Sequence, residues 1–137
     1  MSNISAAQVK ELREKTGLGL MDCKKALEDA EGNMDKAIEE LRKTSGVKAS
    51  KKSGRSAADG LIAIKNIEDQ IFMIEVNCET DFVARDDSFI EFTSQTLKSY
   101  SENSDKTLQE LMDDGIEDNR EKIVQKLGEN IVVRRVA

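Results

Sequence analysis

The spacing of the apolar residues changes once along the chain, and this change constrains the fold more than any other feature. Before residue 45, apolar side chains recur at three- and four-residue steps, as in Met34, Ile38 and Leu41, which is the period of a helix. After residue 60 they form the short runs 61–64 and 71–76, a pattern typical of strands. The sequence therefore predicts a helical module followed by a module that contains a sheet.

The first module, residues 1–45, is predicted to contain three short helices. Ser5 can cap the first helix while the side chain of Gln8 reaches back to the cap. Gly17 interrupts the chain after this helix, and Gly32 follows the second helix at the position where a glycine commonly ends one. A bundle of this size buries little surface, so we expect it to be only marginally stable alone.

Residues 46–58 are predicted to form a linker. The stretch from residue 42 to residue 58 is rich in small and basic residues and contains no acidic one. A phosphate-binding role for these charges is one interpretation, but no aromatic side chains are interleaved with them, which favours a solvated hinge. We therefore expect the two modules to move semi-independently.

The second module, residues 59–137, is predicted to be a small α+β domain. The two apolar runs enclose residues 66–70, which indicates a β-hairpin. Phe89, Phe92 and Tyr100 then lie on one side of a helix. Thr107 and Glu110 can cap a short helical turn, and a further helix and a strand at 131–133 follow. The predicted order is β-β-α-α-β with an antiparallel sheet.

Composition disfavours several functional classes. Charged residues make up 35% of the chain and the formal net charge is −6, which disfavours general binding to nucleic acid. The chain contains no apolar run of the ~20 residues that a membrane span requires. Its first twenty residues lack the apolar core of a signal peptide, so we expect a cytoplasmic protein.

The sequence offers no recognisable catalytic or metal-binding set. It contains two cysteines, Cys23 and Cys78, and no histidine that could complete a zinc site or activate a thiol. Their spacing permits a disulfide, although two buried thiols are the favoured interpretation. We expect no cofactor and no metal, and an enzyme is the least favoured class.

Two long motifs carry a family resemblance. They are TGLGLMDCKKAL at residues 16–27 and EVNCETDFVA at residues 75–84. Shorter motifs at residues 57–60, 128–131 and 134–137 follow in the same order. Together they identify the chain as similar to elongation factor Ts over nearly its whole length.

The resemblance implies a fold and a function. The first module should resemble a ubiquitin-associated domain, and the second should be the amino-terminal subdomain of a larger core. Members of the family usually continue well beyond residue 137, and the further part gives them a second hold on their partner. Their role is guanine nucleotide exchange during translation elongation: they bind elongation factor Tu, chiefly at its nucleotide domain, and promote GDP release by disturbing its magnesium and phosphate site.

The resemblance also assigns residues. Thr80, Asp81, Phe82 and Val83, which we call the wedge segment, should enter the partner and displace the region that orders its magnesium ion. A second set lies in the first module and should contact the nucleotide domain of the partner: Arg13, Leu20, Met21 and Lys24. Leu20 replaces the methionine that is usual in the family, a change that keeps size and apolarity.

Each of these residues also has a purely structural interpretation. Phe82 could fill the local core, Asp81 could cap a turn, and Met21 could belong to the core of the helical bundle. Arg13 and Lys24 could be ordinary solvated charges. An alternative to nucleotide exchange is that the chain is a ubiquitin-associated-like interaction module that affects no GTPase.

Overall fold

The computed structural model describes residues 3–137, and its elements follow the predicted change from helices to a sheet. In the first module these are α1 (Ala6–Thr16), α2 (Leu20–Asp29) and α3 (Met34–Lys52). The second module contains β1 (Asp59–Ile67), β2 (Gln70–Cys78), α4 (Asp81–Ala84), α5 (Asp87–Glu102), α6 (Leu108–Leu111), a kinked connection (Met112–Ile116), α7 (Glu117–Leu127) and β3 (Val132–Val136).

The first module forms the three predicted helices. The Ser5 hydroxyl accepts from the Gln8 amide at 3.2 Å and the Gln8 side chain accepts from the Ser5 amide at 2.9 Å, so the predicted capping box is confirmed. Gly17 ends α1 in the left-handed conformation at φ 69°. The three helices enclose one apolar cluster, whose fully buried members are Leu12, Cys23, Leu27 and Ala37.

The second module is the predicted α+β domain with an antiparallel sheet. The strand order is β1-β2-β3, and both pairings are antiparallel. Phe72, Ile74, Val76 and Cys78 of β2 are buried on one face, as their alternation predicts. The single turn α6 is the predicted turn with a capping box at Thr107 and Glu110, whereas α4, a single turn fixed by the Thr80 cap, was not expected as a separate element.

Within residues 3–137, helices cover only one face of the sheet. Phe89 of α5 is fully buried in the core beneath it, and the Phe72 and Tyr100 rings meet edge to face at 5.8 Å. The opposite face of the hairpin exposes Ile62, Ile64, Ile71 and Met73. β1 approaches β2 so closely at Gly60 that a Cβ there would lie 2.1 Å from the carbonyl oxygen of Val76.

The prediction of a linker at 46–58 was wrong for its first part. Residues 46–52 continue α3, since lysine, alanine and serine at this point still allow a helix and the chain has no proline to end it. Ala49 is buried within the core of the second module. The division of the chain into domains itself stays a prediction.

Helix α3 packs against α7 and so joins the two modules. The Arg42 guanidinium lies 3.3 Å from the Asp118 carboxylate, and the buried Ser45 hydroxyl contacts the side chain of Gln125. Gly46 faces α7 at this contact, and a Cβ there would lie 3.3 Å from a carboxylate oxygen of the Glu121 side chain. The expectation of semi-independent motion is therefore replaced by one of joint motion.

We predict that the two modules tumble as one body in solution. The buried contacts of α3 with α7 and with the second core should restrain the relative orientation of the modules. ¹⁵N relaxation of the free chain should give one rotational correlation time for residues 6–52 and 59–136. Two clearly different correlation times would contradict the packing of α3 against α7.

Candidate partner-binding site

The wedge segment lies at the point where β2 ends and the chain turns into α4. Phe82 is 82% exposed, whereas the next residue, Val83, is only 9% exposed. Val83 and Ala84 therefore hold α4 onto the core, and Phe82 stands on its outer side. The interpretation of Phe82 as a core residue is wrong, because its ring is the most exposed large apolar side chain among the described residues.

Thr80 determines where α4 begins. It has extended backbone angles, and its hydroxyl accepts from the amide of Val83 at 3.4 Å. Asp81 is thus not the capping residue but the first residue of the helix. An acidic side chain at this position is favourable because the free backbone amides give the amino end of a helix a partial positive charge.

Asp81 and Phe82 present a charge beside an exposed ring. The Asp81 carboxylate lies 3.7 Å from the Arg85 guanidinium, and both side chains are more than half exposed. Exposed pairs of this kind contribute at most about 1 kcal/mol, so the carboxylate can exchange Arg85 for another partner at little cost. The segment is suited to contact with another protein.

Glu129 holds the base of the wedge segment from a distant part of the chain. One carboxylate oxygen accepts from the amides of Glu79 at 3.1 Å and Thr80 at 3.0 Å. The other accepts from the Thr80 hydroxyl at 2.7 Å. The sequence motif at residues 128–131 gave no sign of this role, because the bond joins residues 49 positions apart.

Cys78 precedes this network as a buried structural thiol. Its Sγ donates to the Thr80 carbonyl oxygen at 3.1 Å. Burial, together with the nearby negative charge of Glu129, raises the pKa of the Cys78 thiol to about 11, so the thiol is neutral at pH 7. Cys23 is also buried and free, which confirms the favoured interpretation of the two cysteines.

The four candidates in the first module lie on the surface of α1 and α2. Leu20 and Met21 form the first turn of α2 and are 53% and 74% exposed. Arg13 is exposed on α1, and Lys24 lies one turn after Leu20 with its Nζ 3.8 Å from a Glu28 oxygen. The interpretation of Met21 as a core residue is wrong, since Leu18 and Cys23 fill the core on either side of it.

Neither a metal cluster nor a membrane span is present among residues 3–137. No group of three histidine, cysteine, aspartate or glutamate side chains is placed to hold a metal ion in that part of the chain. None of its helices has the length and apolar character needed to cross a membrane.

Comparison with known proteins gives consistent matches. A family model described as "Elongation factor TS" matches residues 79–137. An elongation factor Ts of Marinobacter nauticus is 55% identical over 138 residues, which cover 99% of this chain and 48% of the relative. The elongation factor Ts of Hahella chejuensis is 52% identical, and the match covers 100% of this chain and 49% of the relative. That of Arthrospira platensis is 49% identical, and the match covers 100% of this chain and 59% of the relative.

These matches show that the chain is similar, over nearly its whole length, to translation elongation factors. Within that class the family that it resembles is elongation factor Ts. The chain spans about half the length of the curated relatives it matches.

Proposed function

We propose that this chain is a guanine nucleotide exchange factor that binds elongation factor Tu in the cytoplasm and promotes the release of GDP. The observation that carries the proposal is Phe82, whose ring is 82% exposed on a capped and anchored helix. Exposed aromatic side chains on a rigid support are common anchors in protein interfaces. The exposure also agrees with the role that the family resemblance gives to this residue.

The proposed mechanism needs no catalytic group. A GTPase holds GDP largely through its phosphate loop and a magnesium ion, so displacing the segment that orders the magnesium weakens the nucleotide. Phe82 would enter the nucleotide domain between secondary-structure elements, and the Asp81 carboxylate beside it would find a polar partner there. The chain would act as a binding protein and not as an enzyme.

Thermodynamic linkage connects the two binding events. If the chain favours a conformation of elongation factor Tu that holds GDP poorly, GDP must weaken the binding of the chain by the same factor. Either nucleotide can then enter the empty site. The excess of GTP in the cell, and not the exchange factor, would determine the direction of the cycle.

The first module would supply a second contact with the nucleotide domain. Leu20 and Met21 are neighbouring apolar side chains on one helical turn, and Arg13 and Lys24 are exposed charges of the same module. A methionine adapts readily to an irregular apolar surface. The packing of α3 on α7 would hold this contact at a fixed distance from Phe82.

The same two side chains favour one alternative function. An exposed Leu20-Met21 pair on a three-helix module could bind ubiquitin-like or helical surfaces without any exchange activity. This alternative gives no role to Phe82. A pull-down with ubiquitin that succeeds where elongation factor Tu fails would favour it over nucleotide exchange.

The direct test is the release of fluorescent GDP from elongation factor Tu in a stopped-flow instrument. The chain should accelerate release in proportion to its concentration at low occupancy, and added magnesium should oppose the effect. Complex formation without accelerated release would overturn the exchange proposal while leaving a binding role.

A further inference from the structure

The single turn α4 depends on contacts from outside itself. It contains four residues, Asp81–Ala84, far fewer than the roughly 12 to 15 that an isolated helix needs to persist in water. Its outer residue Phe82 contributes almost no packing, because 82% of its surface is exposed. Val83 and Ala84 fix one side of the turn, and its amino end must be fixed by the polar groups that precede it.

At the amino end of α4, residues 79–80 and residues 129–130 each accept hydrogen bonds from the other segment. Glu129 accepts from Glu79 and Thr80, and the Glu79 carboxylate accepts in turn from the amide of Asn130 at 2.8 Å. The Asn130 side chain is buried and donates to the carbonyl oxygen of Arg55 at 2.8 Å. Gly128, in the left-handed conformation at φ 76°, ends α7 and directs the chain towards this contact.

The three bonds of Glu129 are of a strong kind. A carboxylate that accepts from backbone amides or a hydroxyl forms charge-assisted hydrogen bonds, about twice as strong as neutral ones. The bond to the Thr80 hydroxyl has a further effect, because it directs the hydroxyl proton to Glu129 and leaves an oxygen lone pair for the Val83 amide. Glu129 thus orients the capping group itself.

We propose that Glu129 is a positioning residue for Phe82: through Thr80 it fixes α4 so that the aromatic ring is presented in its binding orientation before the partner arrives. The inference rests on the proposed exchange function. Holding a binding group in place in the free protein reduces the ordering cost that association would otherwise carry. Glu129 itself does not need to touch the partner.

The test uses two substitutions in the full chain, Glu129→Gln and Glu129→Ala. The glutamine keeps the size of the side chain and an oxygen that can accept from both amides, but its amide group cannot accept from the Thr80 hydroxyl. The alanine removes all three bonds. Glu91→Ala serves as the control, since Glu91 is an exposed acidic residue on α5 outside this network.

Two readouts are followed. Amide hydrogen exchange and ¹⁵N relaxation of residues 79–84 in the free protein report the order of the wedge segment, and stopped-flow GDP release reports its action. Glu129→Ala should speed amide exchange at Glu79 and Thr80 and slow stimulated GDP release, each by about tenfold, the effect of losing hydrogen bonds to a charged group. Glu129→Gln should keep the rates of amide exchange and of GDP release close to those of the parent. Glu91→Ala should change neither rate.

Failure of this inference can be told apart from failure of the proposed function. If Glu129→Ala leaves the order of residues 79–84 unchanged, the positioning role is wrong whatever the partner does. If that order falls but GDP release keeps the parent rate, while Phe82→Ala slows release, exchange stands and positioning is overturned. If neither variant slows release, the proposed role of the wedge segment falls as well. If Glu129→Ala does not fold, the order of residues 79–84 and the rate of GDP release are measured for Glu129→Gln and for Thr80→Val, which removes the hydroxyl that joins Glu129 to α4. Unchanged order of residues 79–84 in Thr80→Val would overturn the positioning role.

Discussion

Phe82→Ala should slow the stimulated release of GDP by about thirtyfold or more while leaving the fold intact. The ring is 82% exposed in the free chain, so its truncation opens no cavity and should change the free energy of unfolding by no more than about 0.5 kcal/mol. At an interface an aromatic anchor of this kind contributes about 2 kcal/mol or more, which corresponds to a factor of about thirty or more in rate or affinity. The effect on function should therefore greatly exceed the effect on stability.

The measurements are thermal melts of parent and variant and stopped-flow release of fluorescent GDP from magnesium-loaded elongation factor Tu. Ile90→Ala is a matched control, since Ile90 is another exposed apolar side chain, on the neighbouring helix α5. It should leave both the melt and the release rate near those of the parent. A folded Phe82→Ala protein that accelerates release as well as the parent would contradict the wedge mechanism.

Replacing Leu20 and Met21 together by alanine should weaken the complex by about tenfold to one hundredfold. Both side chains are more than half exposed on the first turn of α2, and each would lose the contact area that it gives to the partner. Complete burial of one such side chain contributes roughly 1.5 kcal/mol or more, but each is already partly buried in the free chain. The two together should therefore contribute about 1.4 to 2.7 kcal/mol, which corresponds to the tenfold to one hundredfold range. Alanine favours a helix more than either residue it replaces, so the bundle should stay folded.

Calorimetric titration of elongation factor Tu distinguishes this contact from the wedge segment. The double variant should raise the Kd, yet at saturating concentration it should still accelerate GDP release, because Phe82 is intact. Val47→Ala is the control, since Val47 is an exposed apolar residue on α3 of the same module. An unchanged Kd would show that the first module makes no apolar contact through this turn.

Sequence patterns predicted the fold well where the chain has a clear period. The three- and four-residue steps of the first module and the alternation along β2 each follow from burial on one face, and the structure has both. Capping boxes at Ser5 and Thr107 are equally local and were predicted from the residues involved. Features of this kind depend on side chains only a few positions apart.

Tertiary contacts were the part that the sequence could not supply. Nothing local marks residues 46–52 as helical, because basic and small residues suit a hinge as well as an exposed helix. Their helix is stabilised by Ala49 in the second core and by the contact of Ser45 with Gln125. Glu129 was missed for the same reason, since its three partners lie at the far end of β2.

The candidate site could be predicted only in part, because it depends on local sequence patterns and also on tertiary contacts. Position and residue type could not decide whether Phe82 is buried, because a phenylalanine after a strand usually joins the core. Its exposure follows from the threonine cap, which rotates α4 so that Val83 and Ala84 face inwards. The role of the eight candidate residues in partner binding stays a prediction.

The most direct test of the central claim is the rate of GDP release from elongation factor Tu with and without this chain. Fluorescent GDP is loaded onto the GTPase with magnesium, mixed with excess unlabelled GDP, and followed in a stopped-flow instrument at increasing concentrations of the chain. We predict that the release rate rises with the concentration of the chain and reaches a plateau set by the ternary complex. A release rate that stays at its spontaneous value, at concentrations where calorimetry shows the two proteins bound, would contradict the exchange function.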